Sequence, residues 1–129
     1  MIVEMQMLVW SVVLGLIQIA LATTATLGQR GLPWMASPRD GSPVVLTGMA
    51  GRLDRACTNF LATFVFFAAV VLAGYVLQRH SSTTVLGAQL YFWARVVYVP
   101  VYALGIPYLR TLIWTVSIVG IVMLLGALF

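Results

Sequence analysis

The sequence has no lysine, and it is poor in charge of either sign. Only 8% of its 129 residues are charged, where a soluble domain has about a quarter. So few charges cannot cover a water-facing surface, which excludes a soluble globular protein and leaves the bilayer as the solvent that fits. Acids number three (Glu4, Asp40 and Asp54), and there is one histidine, His80. A single cysteine, Cys57, rules out an internal disulfide. One His and one Cys far apart cannot build an ordinary metal site, so no metal is expected. No Ser-His-Asp arrangement is available. His80 is expected in a solvated connection, and Cys57 as a small buried packing residue. The N-terminal stretch lacks the positive n-region and small-residue cleavage site of a signal peptide, and its apolar run is too long for one. It is expected to be a retained first helix.

What is present is apolar: 62% of the chain is hydrophobic, and its mean hydropathy is +1.04. At this length one domain is expected. Residues 5–29 carry no charge, and about 20 such residues span a hydrocarbon core. Residues 30–51 are rich in proline and glycine and read as a loop. A second helix is expected over about 52–77, a third over 84–104 and a fourth over 110–128, with a short polar connection at 78–82 and a tight break at 105–107. The fold class is therefore an all-α integral membrane protein, a bundle of four transmembrane helices.

All seven basic residues are arginines, and the pI is near 9.9. They form no basic cluster with interleaved aromatics, so nucleic acid is not an expected partner. Arg30, Arg39, Arg52, Arg55 and Arg110 fall on the side of the 30–51 loop and only Arg79 falls opposite, a bias of five to one. The loop is accordingly expected in the cytoplasm, with both termini on the far side.

Ionisable groups inside a membrane are costly, about 2.5–3.5 kcal/mol for a central arginine on insertion scales, and they mark function or pairing. Arg52, Arg55 and Asn59 are spaced by three and four, so they share a face of the second helix. Arg95, Tyr98 and Tyr102 do the same on the third, with Arg95 too deep to lie at an interface. Arg110, with Thr111 beside it, opens the fourth on the same side. Two readings are open. The arginines snorkel to headgroups or pair with Asp54, Asn59 bonds a neighbouring helix and the tyrosines form an aromatic belt. Alternatively, cations, amide and phenols converge on an anionic ligand that is peptide-like or phosphate-bearing, since arginine forks grip carboxylates bidentately. A cation with a hydroxyl also favours a thiolate over a thiol.

These segments resemble a known family. Gly51-Arg52-Leu53-Asp54-Arg55-Ala56-Cys57-Thr58-Asn59-Phe60 is similar to the helix 2 signature of the MAPEG family, membrane-associated proteins in eicosanoid and glutathione metabolism, whose pattern is roughly E-R-x-x-R-A-x-x-N-x-x-E. Ala94-Arg95-Val96-Val97-Tyr98-Val99-Pro100-Val101-Tyr102 resembles its helix 3 signature, and Pro107-Tyr108-Leu109-Arg110-Thr111 the start of its helix 4. The resemblance implies a homotrimer of four-helix protomers with glutathione as co-substrate between them at the cytoplasmic side. Arg52, Arg55, Asn59, Arg95, Tyr98 and Tyr102 would hold the tripeptide. Arg110 and Thr111 would support its thiolate against a lipophilic small-molecule substrate arriving from membrane lipid. Two positions depart from the pattern: Ala62 replaces the glutamate after the asparagine, and Gly51 the acid before the first arginine.

The leading expectation is thus a bacterial-type member with glutathione-dependent transferase or peroxidase activity. The competing one is a non-catalytic, lipid-binding or scaffold member that kept the bundle and lost the site. A transporter is disfavoured, because inverted repeats and paired broken helices are missing. The compact chain without an endoplasmic-reticulum retention tail points to a bacterial inner membrane.

Overall fold

The protein is described by a computed structural model covering residues 2–39, 41 and 43–129. Met1, Asp40 and Ser42 lie outside the described residues. Five helices follow one another: α1 (Val3–Arg30), α2 (Leu32–Met35), α3 (Gly48–Val76), α4 (Ser82–Ala103) and α5 (Pro107–Gly126). No strand occurs among the described residues.

Local chemistry accounts for the boundaries. α1 carries Glu4 in its first turn and Arg30 in its last, each complementing the helix dipole. Gly31, at φ 84°, ends it by folding its N–H back to the Leu27 carbonyl. A one-turn helix, α2, then interrupts the stretch expected to be loop. Gln29 ties that stretch back to α1, its amide both donating to and accepting from the Thr47 backbone at 3.0 Å. α4 opens with a reciprocal capping box between Ser81 and Thr84. Gly105, at φ 74°, makes the turn into Pro107, the first residue of α5.

α1, α3 and α5 are each long and apolar enough to cross a membrane. α4 carries Arg95, Gln89 and three tyrosines and falls outside that group, yet it is the hub of the bundle. It packs on α1, α3 and α5, whereas the α1 and α5 backbones do not approach closely. Gly87 of α4 and Gly120 of α5 let these two backbones meet directly. Phe67 of α3 stacks on Tyr91 of α4 at 4.1 Å, and the Tyr91 hydroxyl hydrogen-bonds the Thr63 hydroxyl at 3.0 Å.

Polarity runs inside out. The buried face of α1 holds Ser11, Gly15, Gln18, Ala22 and Thr26. Its exposed face holds Trp10, Leu16, Ile17 and Leu21. Small and polar residues inside with large aliphatics outside is the arrangement a lipid solvent imposes.

Candidate functional site

The tertiary packing gathers a cation–aromatic cluster at the end of the bundle where α3 and α5 begin and α4 finishes. Tyr102, in the last turn of α4, is its centre. Its hydroxyl accepts a hydrogen bond from Arg55 Nε at 3.2 Å, and the Arg110 guanidinium lies 4.7 Å from its ring centroid. Tyr98 sits one turn deeper, its ring 5.5 Å from that of Tyr102. Beneath it lies Arg95, 4.2 Å from the Tyr98 centroid and 5.7 Å from that of Phe60. Ile113 and Trp114 of α5 pack against Ala56, Tyr98 and Tyr102 and hold the cluster from the side.

The residues singled out by spacing fall into distinct roles. Arg55, Tyr102 and Arg110 come together. Arg52 donates through Nε to the Ala103 carbonyl at 2.8 Å, satisfying a C-terminal carbonyl of α4 and fixing that helix end against α3. Asn59 is half-buried, and its Oδ1 has no hydrogen-bond partner among the described residues. Arg95 is only 1% exposed, and none of its three side-chain nitrogens has a hydrogen-bond partner among the described residues. Its stabilisation comes from the Tyr98 and Phe60 faces, a contact worth about 2 kcal/mol or more when desolvated. No pairing of Arg95 with Asp54 forms. Thr111 is exposed and donates its hydroxyl to the Pro107 carbonyl at 3.3 Å.

Charge is unbalanced at this end. Among the described residues the one close contact between a basic side chain and a carboxylate joins His80 to Glu4 at the opposite end, and no site arginine meets a carboxylate. Asp54 instead lines a separate polar recess of about 280 Å³ with Arg30, Arg39, Cys57 and Thr58. Sequence reasoning missed what holds two of its lining arginines: the Trp34 ring is flanked by Arg30 and Arg39 at 5.3 and 5.5 Å. The residue types were visible, but α2, which presents Trp34 to both, has no long periodicity to betray it.

A family model, that of the MAPEG family, matches residues 7–129, nearly the whole chain. The chain belongs to the MAPEG family. No curated protein matches it. This MAPEG protein is therefore an integral membrane protein, as its apolar helices also require. Its departures from the family pattern have a local geometry. A Cβ on Gly51 would lie 2.9 Å from the Leu46 carbonyl oxygen and 3.2 Å from Arg55 Nη1, so an acid at that position needs the 43–47 segment to move. Ala62 is exposed, so a longer side chain there meets no such obstacle.

Taken together, the cluster presents forked donors on Arg55 and Arg110 beside the Tyr102 phenol, with no carboxylate paired to them among the described residues. It is suited to an anion with more than one acceptor. Among the described residues no group of three or more His, Cys, Asp or Glu is placed to hold a metal.

Proposed function

We propose that this MAPEG protein is a glutathione-dependent transferase or peroxidase acting on lipophilic electrophiles, working as a homotrimer whose protomers cross a bacterial inner membrane four times. In this reading α4 is the fourth span, its polar residues turned inward by the packing described above. Both termini lie on the non-cytoplasmic side. The observation that carries the proposal is the Arg55–Tyr102–Arg110 cluster, whose cationic charge has no carboxylate partner among the described residues.

Arg55 and Asn59 offer donors and an unsatisfied acceptor to the carboxylates and amides of a tripeptide. Tyr98 and Tyr102 form the wall against which it lies. Arg52 and Arg95 act through others: Arg52 holds the end of α4 in place, and Arg95 supports Tyr98 from below. Arg110 favours the thiolate over the thiol by opposite charge, and the thiolate is the form that attacks an electrophile or hydroperoxide. Thr111 lies beside it and reaches the same region only if its hydroxyl leaves the Pro107 carbonyl. The lipophilic partner arrives through the bilayer in which the apolar helix faces lie.

Calorimetric titration of the detergent-purified protein tests the binding step. Saturable glutathione binding that Arg55→Ala abolishes supports the reading. Absence of binding at millimolar ligand refutes it. For the chemistry, conjugation and peroxidase rates unchanged in Arg110→Ala refute the thiolate role. A second reading, a non-catalytic member that binds lipid or acts as a scaffold, draws on Ala62, which leaves the ligand's amino group without the family carboxylate. It is the reading that remains if glutathione does not bind.

A further inference from the structure

The end of the bundle opposite the arginine cluster contains a second cavity, of about 200 Å³, that the glutathione chemistry does not use. Parts of α1, α3, α4 and α5, residues 78–80 of the connection and the C-terminal turn line it. At its wall sits Glu4, only 4% exposed, one of the three acids in the chain. One carboxylate oxygen, Oε2, is 2.7 Å from His80 Nδ1. The other, Oε1, is buried with no hydrogen-bond partner among the described residues. A buried carboxylate oxygen without a donor is costly, and it marks a place where a donor belongs. The His80 side chain is 54% exposed, so it is free to turn outward and uncover the carboxylate.

The rest of the lining narrows what that donor is. Arg79 borders the same cavity and supplies the opposite charge. Val71, Leu124 and Leu128 give it an aliphatic floor. The depth also fits an amphiphile. A 29-residue helix is about 43 Å long, which brings both ends of α3 to the headgroup layers of a bilayer about 40–45 Å thick overall. The cavity lies at one of those ends.

We propose that this cavity is a binding site for an aminophospholipid. The primary ammonium of its headgroup donates to Glu4, its phosphate faces Arg79, and the start of an acyl chain runs along Val71, Leu124 and Leu128. The ammonium supplies a donor that Oε1 does not find among the described residues, and it competes with His80 for the carboxylate.

Native mass spectrometry of the full chain, titrated with phosphatidylethanolamine, phosphatidylcholine or phosphatidylglycerol, tests this. Phosphatidylcholine keeps the cation and loses its N–H donors, and phosphatidylglycerol keeps the phosphate and lacks the amine. Phosphatidylethanolamine is expected to bind about tenfold tighter than either, the scale of one charge-assisted hydrogen bond. Glu4→Gln should erase that preference, and Arg79→Gln should weaken all three phospholipids alike. His80→Ala separates a site from a clasp: removal of a competitor raises phosphatidylethanolamine affinity, whereas loss of a structural latch lowers it. Circular dichroism establishes that each variant keeps its helix content, and if Glu4→Gln does not fold, the His80→Ala titration decides alone. Equal affinity for the three lipids, a preference that survives in folded Glu4→Gln, or weakened phosphatidylethanolamine binding in folded His80→Ala overturns the proposal. Octylamine should displace phosphatidylethanolamine; octylamine binding without phosphatidylethanolamine binding reassigns the site to free amines and refutes the lipid.

Discussion

Replacing Gly120 with alanine should force α4 and α5 apart. A Cβ at that position would stand 2.5 Å from the Gly87 carbonyl oxygen and 2.9 Å from the Tyr91 backbone nitrogen. Both obstacles are backbone, so no side chain can rotate out of the way. Moving from 2.5 Å to the 3.4 Å at which ordinary contact begins requires the helices to separate by about 0.9 Å. Overpacking of this kind costs about 1–3 kcal/mol. Alanine returns about 0.5–1 kcal/mol of helix propensity, leaving a net loss of roughly 0–2.5 kcal/mol. Gly28→Ala is the matched control, because a Cβ there meets nothing within 4 Å and only the propensity gain, about 0.5–1 kcal/mol, applies. Unfolding by sodium dodecyl sulfate in mixed micelles, followed by circular dichroism, measures both. The two variants should differ by the steric cost alone, about 1–3 kcal/mol. If Gly120→Ala is as stable as Gly28→Ala, the direct backbone contact between α4 and α5 is not what holds these helices together.

Three further outcomes are expected. Arg52→Ala frees the Ala103 carbonyl and should lower stability by about 1 kcal/mol in the same assay, at the low end for a charge-assisted bond because Arg52 is only partly buried. Arg95→Met removes a buried cation that has no counter-ion among the described residues; stability should hold or rise while glutathione affinity falls, and a loss of several kcal/mol would show that the Tyr98 and Phe60 faces outweigh the desolvation. Ala62→Glu restores a carboxylate at an exposed position and should raise glutathione affinity about tenfold by calorimetry, as one charge-assisted hydrogen bond does, and an unchanged affinity would show that the missing acid is not what limits binding.

The membrane character of the chain is legible in its composition, because scarcity of charge and long apolar runs depend on no tertiary contact. The Arg52/Arg55/Asn59 and Arg95/Tyr98/Tyr102 faces are legible for a similar reason, since a helix repeats every 3.6 residues whatever it packs against. The family resemblance is carried by local motifs, and the match over residues 7–129 shows the family they indicate.

Which faces meet is a different kind of fact. Arg52 and Arg55 share one helical face and one residue type, yet Arg52 is bound to the backbone at the end of α4 while Arg55 meets the Tyr102 hydroxyl. His80, solvated in a connection as expected, also reaches a glutamate 76 positions away in sequence. Arg95, for which Asp54 was one expected partner, rests on two aromatic rings. The sequence alone determined the solvent, the four long helices and the side chains each of them offers, because these follow from local composition and periodicity. The tertiary structure alone decided that a phenol lies between two arginines at one end and a carboxylate faces an imidazole at the other, because rotation and depth of each helix are set by packing at glycines such as Gly87 and Gly120, and packing is a property of the whole bundle.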